Sequence, residues 1–489
     1  MNGIMIQGTS SDSGKSFIVT GLCRLFSDMG LKICPFKSQN MSNNAYVTHD
    51  NCEISTAQAL QAQAARLTPE TFMNPILLKP KHDKSSEIIL NGRVFHKPAE
   101  KNYYREFAQN QGIQAIRESL KYIHENFSAI IIEGAGSPAE INLNAHEIVN
   151  MRIAREANVP VILVTDVDRG GSLASIVGTL ELLGQDRERV KGIIFNKFRG
   201  DINLFNDAVE WTQNYTGIKV LGVLPFMKEI NLSGEDSLTL QNFSREKNIS
   251  RKNINIGVIK YPGIANFTDF DSFKYESDID LIYVNDCKDL QKIDAIILPG
   301  AKNTLSALEW LKESGLDKAI KNFHGFIFGI CGGLQILGFL EILPISTNFD
   351  YSGKITRQIS GFLANDNSIK ISGYEIHFGR TIYNYNQDFS ALFSITNKNF
   401  NTPSPEGITN KNFSLAGTYI HGIFDNDNFR ALWLNNIRRS KNYRARTIIN
   451  TRSVRDNIFN EIAKLLNQNL DINFILELIH REDTTPRPE

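Results

Sequence analysis

Short, unbroken apolar runs alternate with longer segments of helical periodicity along the first half of the chain. Six of these runs have the length of buried strands, namely Ile4–Ile6, Lys32–Phe36, Ala129–Ile132, Pro160–Thr165, Gly192–Phe195 and Val220–Leu224. Helical patterns lie between them, for example over Ala57–Arg66 and Tyr104–Glu125. Such alternation is typical of parallel βαβ units, and unbroken apolar strands fit a sheet that helices cover on both faces. We therefore predict an α/β domain with a doubly wound, mostly parallel sheet.

A second series of apolar runs begins after a polar stretch in the middle of the chain. We interpret residues 241–253 as a linker, because the pattern loosens after Pro225 and resumes at Ile254. The new runs are Ile254–Lys260, Leu281–Val284, Ala295–Leu298 and Phe326–Ile330. They predict a second α/β domain over residues 254–440, after a first domain over residues 1–240. Apolar spacing between Ser453 and Ile479 predicts a helical tail within residues 441–489.

A glycine- and serine-rich loop joins the first predicted strand to a helical pattern over Phe17–Met29. Its sequence is Gly8-Thr9-Ser10-Ser11-Asp12-Ser13-Gly14-Lys15-Ser16, with one residue more between its glycines than the common G-x-x-x-x-G-K-[ST] pattern. In such loops backbone N–H groups surround the phosphate oxygens, the lysine reaches the terminal phosphates and the hydroxyl ligates Mg²⁺. We therefore predict a nucleotide site at Gly8, Thr9, Ser13, Gly14, Lys15 and Ser16.

A cysteine lies in a sharp-turn motif at the end of the last apolar run. Gly329-Ile330-Cys331-Gly332-Gly333 follows Phe326-Ile327-Phe328 and precedes a helical pattern. This spacing is typical of an elbow that exposes a nucleophile between a strand and a helix. A helix N-terminus at this point favours a thiolate and offers N–H groups to an oxyanion. His421, in a distant apolar stretch, is the candidate base, and a buried structural cysteine is the alternative.

Composition narrows the class of protein. The 489 residues fit two or three domains, and a net charge of zero argues against an extended surface for nucleic acid or anionic membrane. The five cysteines form no C-x-x-C pair, which favours reduced thiols in a cytoplasmic protein over disulfides or a zinc site. No apolar run approaches the ~18 residues of a membrane helix, and we expect no signal peptide. The expected partners are small molecules, without nucleic acid or membrane, and the oligomeric state stays open.

The two predicted sites have complementary chemistries. A Cys–His site can attack an amide, and a nucleotide site can activate a carboxylate by phosphorylation. On several long motifs the chain resembles the cobyric acid synthases, which are glutamine-hydrolysing amidotransferases of cobalamin biosynthesis. The resemblance runs essentially from end to end. Beside the phosphate-binding loop, its motifs are Pro35–Ser42, Glu133–Leu143, Asp166–Gly171, Asn196–Asp201, Leu298–Thr304 and Gly373–His377.

The resemblance implies a fold and a reaction. The first domain is expected to be a dethiobiotin-synthetase-type ATPase, whose phosphate-binding loop also has the extra residue. The second is expected to be a class I-type glutamine amidotransferase domain. The family amidates the b, d, e and g carboxylates of adenosylcobyrinic a,c-diamide, using one glutamine and one ATP for each, and Mg²⁺ is expected beside ATP. Cobalt arrives inside the substrate, so the protein needs no cobalt ligands.

Roles at the thiol site follow from the same resemblance. Cys331 is expected to attack the glutamine carboxamide, with His421 transferring protons. The N–H groups of Gly332 and Gly300 are candidates for holding the oxyanion. Ammonia released there must reach the first domain without being protonated in water, which implies an internal passage.

The group that orients the histidine is open at this stage. Many related domains have an acidic residue two positions after the histidine, where this chain has Ile423. The cobyric acid synthases share this departure. Asp425 and Glu375 are two candidates that the sequence does not rank.

Further candidates lie near the ends of the predicted strands of the first domain. Glu133 is a candidate Mg²⁺ ligand, and the alternative is a solvated carboxylate at the end of a strand. Asn196 is a candidate adenine-binding residue, and the alternative is an asparagine that caps a turn. Candidates for binding the corrinoid substrate are Gln39, Asn40, Asn43, Asn44, Asp168 and Arg169. The alternatives are a hydrogen-bonded loop for the first four and a local ion pair for the last two.

Two other functions are weighed against cobyric acid synthesis. A cobyrinic acid a,c-diamide synthase shares both chemistries but lacks the Gln39–Ser42 and Asp168–Gly171 segments. A non-enzymatic partitioning or scaffold protein with a phosphate-binding loop has no use for Cys331 and His421. The amidated carboxylates distinguish the first alternative, and glutaminase activity excludes the second.

Overall fold

The first domain is built on a parallel sheet, as its unbroken apolar strands predict. The computed structural model describes residues 1–80, 86–95, 106–142, 147–227, 253–349, 353–397 and 400–480. Its first strands are β1 (Gly3–Gly8), β2 (Ile33–Phe36), β3 (Gln39–Met41), β4 (Ala45–Val47), β5 (Glu53–Ser55), β6 (Ile76–Pro80), β7 (Ser86–Leu90), β8 (Arg93–Val94), β9 (Ala129–Glu133), β10 (Val161–Asp166), β11 (Val190–Phe198) and β12 (Lys219–Pro225). The helices are α1 (Lys15–Asp28), α2 (Thr56–Ala64), α3 (Ile113–Asn126), α4 (Met151–Ala157), α5 (Ser172–Leu182) and α6 (Asn206–Thr216).

Six strands form the main sheet in the order β12-β11-β10-β1-β9-β2, with every neighbouring pair parallel. The phosphate-binding loop leaves the central strand β1, so the carboxyl ends of β9 and β10 lie on either side of it. A smaller sheet, β3-β6-β7-β8, and the hairpin β4-β5 lie beside this edge. These strands were not predicted, because four of the six span only two or three residues, too few to give a periodic signal.

The second domain contains a seven-stranded sheet with the order β15-β13-β16-β18-β27-β26-β23. It also contains a four-stranded antiparallel sheet with the order β21-β20-β24-β25. Its strands are β13 (Ile254–Ile259), β14 (Ile264–Ala265), β15 (Ile279–Val284), β16 (Ala295–Leu298), β17 (Gly300–Ala301), β18 (Phe326–Ile330), β19 (Ile345–Asn348), β20 (Ile355–Leu363), β21 (Asp366–His377), β22 (Arg380–Tyr383), β23 (Phe389–Ser390), β24 (Phe393–Asn397), β25 (Phe400–Glu406), β26 (Ile408–Asn410) and β27 (Leu415–Thr418). The helices are α7 (Thr304–Ser314), α8 (Leu316–Lys321), α9 (Gly332–Phe339) and α10 (Asp427–Ser440), and a 3₁₀ segment spans Phe267–Tyr275.

The last two helices, α11 (Thr451–Asn469) and α12 (Ile472–His480), return to the first domain. Phe459, Ile462 and Leu466 of α11 are buried in one apolar cluster with residues of α1 and β1. Gly21 lets the two helices approach, since a Cβ there would lie 2.5 Å from Leu466 Cδ1. One face of the main sheet is thus covered by α1, α11 and α12, and the other by α3, α4 and α5.

The predicted fold class, two α/β domains with the first doubly wound, is confirmed. Each apolar run predicted as a strand is a strand, with ends that shift by at most three residues. The predicted helix Tyr104–Glu125 contains a π-helical segment, Ala108–Gly112, before α3 begins. The proposed boundaries at residues 240, 253 and 440 stay predictions, and nearly all of the predicted linker 241–253 lies outside the described residues. Within the described residues, no helix is long and apolar enough to cross a membrane.

Candidate functional site

The elbow around Cys331 has the predicted geometry. Strand β18 ends at Ile330 and α9 begins at Gly332, with Cys331 between them at φ 52° and ψ −111°. The flanking glycines are required, because a Cβ on Gly333 would lie 1.9 Å from the carbonyl oxygen of Leu298. A backbone bond of 2.8 Å from Cys331 N–H to Thr418 O ties the elbow to β27. The thiol is therefore held at the carboxyl edge of the sheet, beside the strand that leads to His421.

His421 is almost fully buried and is oriented by a residue that the sequence did not indicate. Its Nδ1 lies 2.7 Å from Asp269 Oδ2, and Asp269 Oδ1 accepts the N–H of Gly422 at 2.9 Å. Burial lowers the pKa of His421, but Asp269 and the Cys331 sulfur outweigh it and raise that pKa to about 10. An imidazolium is therefore the favoured state of His421 near neutral pH.

Asp269 replaces both candidates that the sequence suggested for this role. Asp425 instead pairs with Arg455 at 3.0 Å, and Glu375 pairs with Arg357 at 2.7 Å. Asp269 is 152 residues from His421 in the chain, so no local spacing indicates the pair. The available signal is two acidic residues, Asp269 and Asp271, among the aromatic residues of the 3₁₀ segment that follows β14.

The two predicted oxyanion donors lie against the Cys–His pair. Gly332 is the first residue of α9, and Gly300 begins β17, which pairs with β14. A Cβ on Gly300 would lie 3.0 Å from His421 Cε1, so the backbone of Gly300 lies close to the imidazole. Gly300 lines one cavity with Cys331 and His421, Gly332 follows Cys331 in the chain, and the oxyanion role of their N–H groups remains a proposal.

A cavity of about 300 Å³ opens in front of Cys331 and His421. Side chains of both domains line it, including Gln335 and His377 from the second domain and Asn43, Lys79 and Glu87 from the first. Gln335, one helical turn after Cys331, is fixed by Thr304 Oγ1 at 2.6 Å and by Phe378 O at 2.8 Å. The cavity has room for a small amino acid, and residues of the first domain form part of its wall.

Five charged side chains link the two domains next to this cavity; Glu53 and Lys79 are buried, and the other three are half-buried. Glu53 binds Lys79 of its own domain and Lys354 of the other, the latter at 2.5 Å. Glu87 binds Lys302 at 2.8 Å, two residues after Gly300. Burial raises the pKa of both glutamates, but the lysines outweigh it and lower each to about 2. We name this group the interdomain ion cluster.

The phosphate-binding loop joins β1 to α1 as predicted. Lys15 Nζ donates to the carbonyl oxygens of Ser10 and Gly136, both at 3.0 Å. Asn196 Nδ2 donates to Ser13 O at 2.8 Å and lies where a Cβ on Gly14 would be. In this geometry Asn196 supports the loop, and its role toward adenine stays a prediction.

Glu133 is buried, so the alternative of a solvated strand-end carboxylate is wrong. Its Oε1 accepts Ser16 Oγ at 2.9 Å and Lys37 Nζ at 2.8 Å, and its Oε2 accepts the Gln61 amide. Burial raises the pKa of Glu133, but Lys37 and these hydrogen bonds outweigh it and lower that pKa. The hydroxyl of Ser16 and the carboxylate of Glu133 are hard oxygen donors that fit Mg²⁺. The sequence did not single out Lys37 or Gln61.

Metal-binding clusters of three or more His, Cys, Asp or Glu side chains are absent from the described part of the chain. Mg²⁺ at nucleotide sites needs no such cluster, since phosphate oxygens and water complete its shell. Ser16 and Glu133 therefore remain the candidate metal ligands.

The candidate corrinoid-binding residues separate into two groups. Asp168 and Arg169 are exposed and do not pair with each other: Asp168 binds Arg199 at 2.6 Å, and Arg169 binds Asp12 of the phosphate-binding loop at 3.2 Å. Asn40 is buried, and its Nδ2 donates to Ser55 Oγ at 2.7 Å and to Gln58 Oε1 at 2.9 Å.

Gln39, Asn43 and Asn44 have different surroundings. Gln39 is half-buried in β3, Asn43 lines the cavity at Cys331, and the Asn44 side chain binds the backbone of the second domain. The four polar residues predicted as one cluster therefore do not share one site.

Comparisons with known proteins agree with this architecture. Residues 4–240 match the CobQ/CobB/MinD/ParA nucleotide binding domain, and residues 255–429 match the CobB/CobQ-like glutamine amidotransferase domain. A cobyric acid synthase of Clostridium tetani is 41% identical, with 97% of this chain and 98% of that protein covered. One of Anoxybacillus flavithermus is 41% identical, with 96% of each chain covered.

Solved structures give weaker likenesses. PurLQS from Thermotoga maritima has a TM-score of 0.29 and 18% identity, covering 38% of this chain and 97% of that one, which is too weak to support an argument. On the strength of its nearly full-length relatives and its two domain matches, this chain belongs to the cobyric acid synthase family.

Proposed function

We propose that this protein converts adenosylcobyrinic acid a,c-diamide to adenosylcobyric acid by amidating its b, d, e and g carboxylates with nitrogen from glutamine. One observation carries the proposal. A Cys331–His421–Asp269 site and a phosphate-binding loop occur in one chain whose nearly full-length relatives are named cobyric acid synthases.

Glutamine hydrolysis is assigned to the cavity at Cys331. The thiolate attacks the carboxamide carbon, and the N–H groups of Gly332 and Gly300 stabilise the oxyanion. His421 donates its proton to the departing ammonia, which leaves a thioester on Cys331. His421 then takes a proton from water, the hydroxide cleaves the thioester, and glutamate and the thiolate are restored. Asp269 holds the imidazole in the orientation that both transfers need.

Carboxylate activation is assigned to the loop at Lys15. Lys15 and the loop N–H groups bind the phosphates of ATP, and a substrate carboxylate attacks the γ-phosphate to give an acyl phosphate and ADP. Ser16 and Glu133 would hold Mg²⁺, which neutralises phosphate charge when bound. Ammonia attacks the acyl carbon, and inorganic phosphate leaves.

The direct test is incubation of the protein with ATP, Mg²⁺, glutamine and cobyrinic acid a,c-diamide, followed by mass spectrometry. We expect successive products in which hydroxyl is replaced by amino, each accompanied by one glutamate and one ADP. Amidation of cobyrinic acid at positions a and c, with none on the diamide, contradicts the proposal in favour of a diamide synthase. Absence of glutaminase activity contradicts any amidotransferase role.

A further inference from the structure

Two buried asparagines bind each other's backbone across the boundary between the domains. Asn44 Oδ1 accepts the N–H of Phe267 at 3.0 Å, and Asn266 Oδ1 accepts the N–H of Ala45 at 2.9 Å. Asn44 is 3% exposed and Asn266 is 4% exposed, so water does not reach these donors. Loss of either side chain leaves a backbone N–H buried without this acceptor, which is unfavourable.

On the side of the second domain, Asn266 directly precedes the 3₁₀ segment that carries Asp269. Its backbone is left-handed, at φ 51° and ψ 43°, a conformation that asparagine tolerates better than most residues. Its carbonyl accepts the N–H of Asp269 at 3.0 Å. The preceding residue, Ala265, pairs with Gly300 in the ladder between β14 and β17. One short segment therefore sets both where Asp269 meets His421 and where Gly300 lies.

On the side of the first domain, Asn44 is part of a loop anchored to α2. The carbonyl of Asn44 accepts the N–H of Thr56 at 3.2 Å, and Asn40 binds Gln58 two residues further along the helix. The same helix carries Gln61, whose amide binds Glu133 beside the phosphate-binding loop. Asn44 is thus hydrogen-bonded to the helix that also contacts Glu133 at the nucleotide site.

We propose that Asn44 and Asn266 form an interdomain clasp that positions Asp269, and through it His421, for glutamine hydrolysis. The inference rests on the proposed function of Cys331 and His421. Asn44 is a positioning residue, since it acts through Phe267 and Asp269. The clasp makes competence of the glutaminase depend on the first domain, so that ammonia release is tied to the state of the domain that consumes it.

Matched variants test the clasp. Asn44→Ala removes one acceptor, and Asn44→Asp keeps an oxygen in its place. Asn266→Gly preserves the left-handed backbone while removing the other acceptor. The control is Asn51→Gly, because Asn51 is also left-handed, at φ 61°, and its Oδ1 accepts the N–H of Gln358 at 2.9 Å elsewhere in the interface.

We expect Asn44→Ala and Asn266→Gly to lower the glutaminase kcat about 10-fold or more, with KM for glutamine and ammonia-dependent amidation each within about 2-fold of wild type. The alkaline limb of the glutaminase pH profile should move to lower pH in both, because His421 loses its alignment with Asp269. Asn44→Asp should recover most of the loss, and Asn51→Gly should match wild type.

Three results overturn the clasp. They are an unchanged kcat and pH profile in Asn44→Ala, an equal loss of ammonia-dependent amidation, and a loss in Asn51→Gly as large as that in Asn266→Gly. Failure of the proposed function is distinguishable, because it appears in the wild-type glutaminase and amidation assays before any variant is made.

Discussion

Burial determines what single side chains of the two sites can do. His421 and Glu133 are each 1% exposed, and a charge at such a depth persists only beside a compensating group. Asp269 compensates the imidazolium of His421, and Lys37 compensates the carboxylate of Glu133. Both charged states are therefore properties of pairs, and removing one member changes the chemistry of the other.

Asp269→Asn tests the first pair through pH. The variant keeps an oxygen for the N–H of Gly422 but removes the charge that raises the pKa of His421 to about 10. A raised pKa keeps the imidazolium populated below that value, so removing Asp269 moves the alkaline limb of the glutaminase profile to lower pH. We expect kcat to fall ~100-fold, the lower range for loss of acid–base catalysis. An unshifted pH profile contradicts the assignment of Asp269.

Cys331→Ser tests the separation of the two chemistries. Glutamine-dependent amidation should be lost, while amidation with high ammonia near pH 9 should remain, because the phosphate-binding loop is untouched. Lys15→Ala is the converse variant, since loss of carboxylate activation should abolish amidation from either nitrogen source. If Cys331→Ser is equally inactive with ammonia, the thiol has a structural role instead.

Glu133→Gln tests the proposed magnesium site. The amide keeps the hydrogen bond from Ser16 but removes the charge that attracts the ion and that balances Lys37. Amidation should fall by several kcal/mol in transition-state stabilisation, the scale of a direct metal contact, and recover in part as Mg²⁺ is raised. Glutamine hydrolysis should change less. Activity within a few-fold of wild type at limiting Mg²⁺ would show that the ligand lies elsewhere.

Elements with a strong local signal were predictable, and those defined by distant partners were not. Val161–Asp166 and Phe326–Ile330 were clear in the sequence because each is a continuous apolar run in a covered parallel sheet. Strands Ile355–Leu363 and Asp366–His377 were missed because polar residues interrupt both, and many of their positions are only partly buried or exposed. In the same way the elbow at Cys331 was readable from its glycines, whereas Asp269 becomes meaningful only when the fold brings it to His421.

The packing of α11 on α1 should contribute to the stability of the protein. Leu466 is fully buried against Gly21, so Leu466→Ala should lower the free energy of unfolding by about 2–5 kcal/mol, as other large core truncations do. Gln468→Ala, on the exposed face of the same helix, is the control and should have little effect. Thermal or urea unfolding provides the measurement. Equal effects of the two variants would mean that α11 is not docked in solution.

At the scale of the whole molecule, the interdomain ion cluster joins the first domain to the second beside the cavity at Cys331. Glu53→Gln leaves the ammonium groups of Lys79 and Lys354 buried without their shared carboxylate. Breaking a buried pair in this way costs about 3–5 kcal/mol, whereas Asp28→Asn, at the exposed pair with Arg66, should cost ~0–1 kcal/mol.

The effect of Glu53→Gln on stability should also depend on pH. The pKa of Glu53 is lowered from 4.5 to about 2, so its contribution is complete above 4.5 and disappears as the pH falls toward 2. The stability difference between wild type and Glu53→Gln should therefore narrow over that acid range. A difference that is constant from neutral pH down to that range contradicts the role of the ionised carboxylate.

The return of α11 and α12 to the first sheet also constrains how the protein is made. During synthesis the ribosome releases the phosphate-binding loop, then the entire amidotransferase domain, and only at the end the helices that cover α1. A nascent chain that stops near residue 440 lacks the helix that packs against Gly21 and Arg24 of α1. We expect such a truncated chain to aggregate more readily than the full-length protein, because part of its first domain lacks its cover.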